Sequence, residues 1–140
     1  MREFDTDFIG DNWIESSQLE ELKGELIEEK GSLILAVDKA TTTDEFIRAF
    51  DELQDFRRDY APLIDDIETA EHMIYPLWEN ATLINADFFT EYAQEKMVDA
   101  GFISFEFPGW NLIDWDRLAD DMLMDYQHVK IGGHEYYSRK

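Results

Sequence analysis

Acidic residues are spread along the whole chain, and they constrain how it can fold. The 140 residues include 33 acidic and 12 basic side chains, which gives a formal charge of −21. Residues 1–70 carry 20 acidic and 7 basic side chains, and residues 71–140 carry 13 and 5, so the acid is not a separate tail. Self-repulsion at this charge opposes compaction. A folded chain must therefore hold its carboxylates outside a substantial apolar core.

The composition favours a folded domain and excludes several classes of function. Apolar residues make up 44% of the chain and aromatic residues 14%, which is more than disordered acidic tails contain. The length fits one domain or two small ones. The acidic excess excludes ordinary binding to DNA, RNA or anionic membrane, because these need a basic footprint, and it predicts a basic partner. The absence of cysteine excludes disulfides, thiolate nucleophiles and Cys-based zinc sites.

Signals for membrane insertion, export and cofactor binding are absent from the sequence. No apolar run has the length of a spanning helix, and the acidic opening MREFDTDFIGD is unlike a signal peptide. The three histidines lack zinc-ligand spacing and there is no glycine-rich phosphate loop, so neither a metal nor a cofactor is expected. The sequence predicts a soluble cytoplasmic protein, which acts in the host cytoplasm if a virus or plasmid encodes it.

The first forty residues predict one helix and one strand. Apolar residues at helical spacing predict a helix over residues 16–30, with Ser17 and Glu20 as its capping box. The short apolar run at residues 32–38 is rich in β-prone side chains and predicts a buried strand.

Two further helices are predicted before residue 80. One covers residues 41–56 and begins with a Thr42 and Glu45 capping box. Another starts near Pro62, which suits a first helical turn, and ends before Pro76. The expected inner face of the helix over residues 41–56 consists of Phe46, Phe50, Leu53 and Phe56.

The last third predicts helices, a strand and a hairpin. Helical spacing predicts a helix over residues 86–101 with Gly101 as its C-terminal cap, and alternation over residues 102–110 predicts a short strand. Asp114 suits the N-cap of a last helix, and two consecutive glycines at 132–133 suit a two-residue hairpin turn. The predicted fold is α+β, mostly helical and elongated, with a short buried strand and a C-terminal β-hairpin.

The stretch IDWDRLADDMLMDY, residues 113–126, holds five aspartates on a segment that otherwise resembles a packed helix. Carboxylates three or four residues apart recur on the outer faces of the other predicted helices. Like charges at this spacing destabilise a helix, and solvated helices usually alternate signs to avoid them. The predicted acidic surface consists of Glu21, Glu25, Glu28, Asp51, Asp55, Asp59, Glu91, Glu95, Asp99, Asp114, Asp116, Asp120, Asp121 and Asp125.

The spacing of these carboxylates resembles the charge pattern of DNA. Four helical residues advance about 6 Å, close to the distance between neighbouring phosphates of one strand. Duplex DNA carries one charge per roughly 1.7 Å, so a charge of −21 corresponds to about 36 Å of duplex, and a symmetric dimer doubles this. One interpretation is a DNA mimic that occupies a basic groove. The other is an acidic surface that only keeps the protein soluble.

The C-terminal third resembles the ArdA antirestriction proteins. That family has an acidic helix with a FAxE-like stretch, then a YIDWExxARDL-like stretch, then DY and a small aromatic hairpin. The match covers about residues 87–140 and follows the same order of elements. The family's N-terminal signature, resembling YVANLxxYNxG, is absent. The matching residues are Phe89, Ala93, Glu95, Ile113, Asp114, Trp115, Asp116, Ala119, Asp120 or Asp121, Tyr126, Gly132, Tyr136 and Tyr137.

This resemblance implies an ArdA-like C-terminal domain over residues 85–140, after an acidic N-terminal region over residues 1–84. It implies an acidic, elongated homodimer that mimics DNA and blocks host type I restriction-modification enzymes without being an enzyme itself. Its partner would be such a complex, with no direct binding to nucleic acid or membrane. The expected dimer interface consists of Phe105, Phe107, Trp110, Tyr136 and Tyr137.

Two other functions fit the same acidic surface. One is inhibition of another defence nuclease such as a CRISPR effector. The other is an adaptor that binds a basic nucleoid protein. An enzyme is disfavoured, because close carboxylate pairs are inevitable among 33 acids and therefore do not indicate acid–base catalysis.

Overall fold

The protein has an α+β, mostly helical fold, as predicted. The computed structural model describes residues 2–140, and this part contains four α-helices and one four-stranded antiparallel sheet. The elements are β1 (Trp13–Glu15), α1 (Ser16–Lys39), α2 (Thr43–Ile74), β2 (Thr82–Asn85), α3 (Phe89–Asp99), α4 (Trp115–Met122), β3 (Tyr126–Ile131) and β4 (His134–Arg139).

The sheet has the order β1-β2-β4-β3 and separates two helical layers. Neighbouring side chains on a strand point to opposite faces. Leu83 and Tyr136 therefore join the core under α1 and α2, while Ile84 and Tyr137 join a smaller cluster under α3 and α4. The predicted boundary between residues 84 and 85 lies within β2, which pairs with β4, so strands from both predicted regions share one sheet.

The C-terminal hairpin is confirmed. Ile131 and His134 face each other at the end of the ladder, and Gly132 and Gly133 form the two-residue turn between them. Their φ angles of 57° and 85° lie in the left-handed region, which a primed hairpin turn requires and glycine adopts without strain. The Gly132 amide also donates a 3.0 Å hydrogen bond to Asp66 of α2, which joins the turn to the helical layer.

The strand predicted at residues 32–38 is wrong, because these residues form the last turns of α1. Leu33 follows Leu26 at a spacing of seven residues, so the run extends the buried seam of the helix. The predicted Ser17 and Glu20 capping box is also wrong. The helix begins at Ser16, whose hydroxyl accepts a 3.1 Å hydrogen bond from the Ala81 amide and fixes the helix start to the segment before β2.

A single helix, α2, replaces the two helices predicted on either side of Pro62. Buried residues continue through the proline, from Phe56 to Ile64, along one face. Packing of that face outweighs the roughly 3 kcal/mol that an interior proline costs a helix. The end of the helix before Pro76 is confirmed, since its last residue is Ile74.

The start of α2 agrees with the predicted cap but not with the predicted inner face. Thr42 accepts a 3.1 Å hydrogen bond from the Glu45 amide. Phe46 and Phe50 were expected in the core, yet 47% and 40% of their surfaces are exposed, and all residues from 41 to 48 are exposed. Residues 2–140 thus cover the first two turns of α2 only in part, and full burial on this face begins at Leu53.

The short strand predicted at residues 102–110 is also wrong. This segment forms turns closed by 3.0 Å bonds from the Phe107 amide to the Ser104 carbonyl and from the Trp110 amide to the Phe107 carbonyl. Its phenylalanines are largely exposed, so their alternation does not reflect a half-buried strand. The predicted C-terminal cap of the preceding helix is confirmed by Gly101, which has a φ of 80°.

Replacing Gly24 by alanine is expected to stabilise the protein. Gly24 lies inside α1, and a Cβ added there meets no atom of the described residues within 4 Å. Alanine is favoured over glycine by about 1 kcal/mol in a helix interior, so Gly24→Ala should raise the free energy of unfolding by about that amount. Urea unfolding followed by circular dichroism checks this. An unchanged or lower value would mean that something contacts this face of α1.

Candidate protein-binding surface

Helices α3 and α4 pack side by side because small residues lie where they meet. Ala93 and Ala119 are buried between them, which allows the two helices to approach closely. Beneath α3, Phe89 packs edge-on against Tyr126 of β3 and Tyr137 of β4, with ring centroids 5.1 and 5.3 Å apart. This aromatic layer packs α3 against the sheet, and α4 packs against α3.

The tyrosines under α3 add no charge to this layer. The Tyr92 and Tyr126 hydroxyls are 3.3 Å apart. Partial burial and this hydrogen bond raise the pKa of Tyr126 to about 12. Tyr126 therefore stays neutral at physiological pH, and the charge of the layer comes from carboxylates together with Lys96 and Arg117.

Capping and the helix dipole favour the acidic residues at the start of α4, but the dipole disfavours those at its end. Asp114 is the predicted N-cap, and its carboxylate accepts a 3.1 Å hydrogen bond from the Arg117 amide. Asp116 lies in the first turn, where the helix dipole favours an anion. Asp120 and Asp121 lie in the last turn, which has no basic residue, and there the dipole disfavours anions. The helix thus carries acids that its own stability does not explain.

The exposed carboxylates of α3 and α4 form one patch. Thr90 at the start of α3 donates a 3.4 Å hydrogen bond to Asp116 of α4, which joins the two helix starts. Within residues 2–140, none of the patch carboxylates forms an ion pair. The nearby Lys96 lies over the Tyr92 ring, 5.3 Å from its centroid. We call Glu91, Glu95, Asp99, Asp114, Asp116, Asp120 and Asp121 the α3–α4 acidic patch; all seven are exposed.

The remaining carboxylates of the predicted surface are more often paired. Glu25 of α1 is half-buried and lies 3.9 Å from Arg2, while Glu21 and Glu28 are exposed. On α2, Arg58 lies 3.3 Å from Asp55 and 3.1 Å from Asp59.

Asp51 and Asp125 complete the predicted set. Both are exposed, and Asp125 follows α4 in a short 3-10 turn. The structure therefore puts the predicted acids at or near the surface. The seven on α3 and α4 form no ion pair within residues 2–140, and Glu21, Glu28, Asp51 and Asp125 form none either.

A cluster of opposite charges that sequence reasoning missed ties α1 to α2. Lys23 lies 3.1 Å from Glu20 and 2.6 Å from Glu71, and the Trp78 indole donates a 2.8 Å hydrogen bond to Glu20. The hydrogen bond to Glu71 raises the pKa of Lys23. Partial burial opposes ionisation of Glu20, but the bonds from Trp78 and Lys23 lower its pKa. The Glu20–Lys23 spacing was the only sequence signal, and the cluster stabilises the helical layer.

The aromatic residues predicted at a dimer interface do not share one surface. Phe105 and Phe107 are exposed, and Trp110 and Tyr137 are half-buried. The prediction is wrong for Tyr136, because none of its surface is exposed and it cannot contact a second chain. The alternation of β4 turns its ring into the core, on the opposite face of the sheet from Tyr137.

Comparisons with known proteins leave the surface to be interpreted from its own chemistry. The chain matches no protein-family model, no curated protein and no solved structure. Among residues 2–140 no three His, Asp or Glu side chains are grouped so that they can hold a metal ion. No helix in this part of the chain has the length and apolar character needed to cross a membrane.

Proposed function

We propose that this protein is a DNA mimic, which binds through its carboxylates to the DNA-binding groove of a defence enzyme and so inhibits it. The observation that carries the proposal is the α3–α4 acidic patch, whose seven exposed carboxylates have no ion-pair partner in residues 2–140. A surface that serves only solubility does not need acids at a helix end that disfavours them. A basic groove, in contrast, supplies the missing cations.

The position of the patch on folded helices packed against a sheet supports mimicry over a simple electrostatic attraction. DNA presents its phosphates at fixed spacing, and carboxylates four residues apart on a helix are about 6 Å apart along the axis. Glu91 and Glu95 on α3, and Asp116 and Asp120 on α4, have this spacing on helices held against the sheet. Such a surface enters a groove without the ordering cost that a disordered acidic tail pays.

The proposed target is a type I restriction-modification complex in the host cytoplasm. The resemblance to ArdA proteins suggests this choice, and the patch lies within the residues that carry the resemblance. The protein would act by binding alone. Lys and Arg side chains that normally contact phosphates would contact the carboxylates, and both surfaces would release counterions.

Competition with DNA tests the proposal. We expect the purified protein to displace labelled target DNA from a type I methyltransferase at a defined stoichiometry. We also expect displacement to weaken steeply as salt rises, because ionic contacts carry most of the binding. The measurement is fluorescence anisotropy of the DNA during titration at low and moderate salt.

Poly-glutamate of equal charge serves as the control for unspecific polyanion effects. It should displace DNA much less effectively, since its charges are not held at fixed positions. Failure of the protein to displace DNA at low salt would refute the restriction target. Displacement from a CRISPR effector in the same assay would keep mimicry and change the target, whereas binding only to a basic nucleoid protein would point to the adaptor function.

A further inference from the structure

The end of the α1–α2 hairpin differs in charge from the rest of the molecule. Residues 30–50, here called the helical tip, hold three acidic side chains, Asp38, Asp44 and Glu45, and three basic ones. The tip is therefore neutral, and the whole net charge of −21 belongs to the other 119 residues. Two copies of this chain repel each other at most surfaces, but not at their tips.

The helical tip also exposes apolar side chains that residues 2–140 cover only in part. Phe46 and Phe50 stack with ring centroids 5.9 Å apart on the surface of α2. Ile34, Leu35 and Ile47 of the same tip are also exposed, with 37%, 50% and 52% of their surfaces accessible. Half-exposed side chains of this size contribute about 100 Å² each, so the five offer about 500 Å².

A bare helical end of this kind is unfavourable in water. Most of the stability of protein helices comes from packing an apolar face, and terminal turns with little such packing are the first to open. The first two turns of α2 have little such packing within the described chain, since all residues from 41 to 48 are exposed and Phe46 and Ile47 are only about half covered. The tip thus has the composition of a helix–helix interface that lacks its other half.

We propose that the helical tip pairs with the tip of a second copy of this chain, as a two-fold interface of four helices. The tip's three cations are Lys30, Lys39 and Arg48, and within residues 2–140 none of them forms an ion pair. A two-fold arrangement brings them towards the three carboxylates of the partner tip. The five apolar side chains supply more than half of the roughly 800 Å² per partner that stable complexes bury, and the polar rim would supply the rest.

This interface is separate from the proposed function and from the part of the chain that resembles ArdA proteins. It involves only residues 30–50, whereas the α3–α4 acidic patch lies on the other layer of helices, across the sheet. Pairing through the tips leaves both patches free and doubles the number of carboxylates that one particle presents. Its failure in the experiment below would not affect the competition assay, and the reverse also holds.

Sedimentation equilibrium of the full chain tests the pairing. We expect the wild type to be a dimer at micromolar concentration. The double variant Phe46→Glu with Phe50→Glu should raise the dimer dissociation constant at least about 100-fold, because two central aromatic side chains are lost and like charges are added. Both positions are exposed, so far-UV circular dichroism should remain that of the wild type.

The double variant Phe105→Glu with Phe107→Glu is the matched control. It removes two exposed phenylalanines and adds the same charge at the aromatic loop, and it should remain dimeric. A monomeric wild type overturns the proposal, and so does a control that dissociates as readily as the Phe46 and Phe50 variant. The chain has no cysteine, so Ala36→Cys gives a unique label in the tip. Energy transfer between labelled copies should be strong and should vanish in the Phe46 and Phe50 variant.

The effect of salt distinguishes this interface from the acidic patch. Salt screens both the repulsion between two chains of charge −21 and the ion pairs between the tips, but exposed ion pairs contribute little, so the net effect should be tighter tip pairing. The same increase in salt should weaken displacement of DNA. A dimer that dissociates as salt rises would contradict pairing through a neutral apolar surface.

Discussion

Neutralising six carboxylates of the α3–α4 acidic patch is expected to weaken displacement of DNA by about 100-fold or more, while making the protein more stable. Each lost charge–charge contact should cost a few tenths to one kcal/mol of binding, and 1.4 kcal/mol corresponds to a factor of ten. The slope of log affinity against log salt should fall by up to about one for each contact removed. The substitutions are Glu91→Gln, Glu95→Gln, Asp99→Asn, Asp116→Asn, Asp120→Asn and Asp121→Asn.

Asp114 is left intact in this variant because it caps α4. Stability should increase because the substitutions remove like-charge repulsion on both helices and unfavourable charges at the end of α4. Thermal unfolding at low salt measures this part of the prediction, and DNA anisotropy measures the other. If binding weakens while stability increases, the carboxylates are retained for function at a cost in stability.

A second set of six substitutions separates the patch from net charge. It produces the same charge of −15 at exposed carboxylates outside the predicted surface, and it should displace DNA almost as well as the wild type. Equal loss of displacement in both sets would show that total charge matters and the patch does not. The control substitutions are Glu3→Gln, Asp7→Asn, Asp11→Asn, Asp65→Asn, Glu68→Gln and Glu79→Gln.

The elements that were predicted correctly from the sequence are those whose conformation depends on a few adjacent residues. The Asp114 cap depends on one hydrogen bond three residues away, and the turn at residues 132–133 depends on two left-handed backbone positions. The predicted strand at 32–38 failed because a short apolar run fits a strand or a buried helix, and the choice depends on what covers it. The predicted helix boundary at Pro62 failed for a similar reason. Contacts with residues distant in sequence outweigh the free-energy cost of a proline inside the helix.

The candidate surface was predictable in outline for a related reason. Helical spacing puts carboxylates opposite an apolar seam, so exposure follows from the pattern. Which carboxylates remain unpaired does not follow, because Arg2 meets Glu25 only after the N-terminal segment has folded back. Likewise, hydrophobicity alone does not distinguish a core phenylalanine from one such as Phe46, which lies where the covering layer ends.

Replacing Tyr136 by alanine is expected to lower the free energy of unfolding by about 4 kcal/mol, a large part of the stability of an ordinary domain. Its ring is fully buried between the sheet and the helical layer. Its hydroxyl accepts a 2.7 Å hydrogen bond from the Gly10 amide and donates a 3.1 Å bond to the Asp11 carbonyl. The residue thus anchors the N-terminal segment to β4, and its removal should release both contacts and leave a cavity.

Two variants separate the contributions of the ring and the hydroxyl. Tyr136→Phe keeps the ring and should cost about 1–3 kcal/mol, because the Gly10 amide loses its acceptor. Tyr137→Ala removes the same side chain from the next position of β4, where it is half-buried on the other face, and should cost less than half as much as Tyr136→Ala. Urea unfolding at one moderate salt concentration keeps charge repulsion constant across the set. If Tyr137→Ala proved as costly as Tyr136→Ala, the assignment of the two faces of the sheet would be wrong, and with it the separation of the α3–α4 layer from the main core.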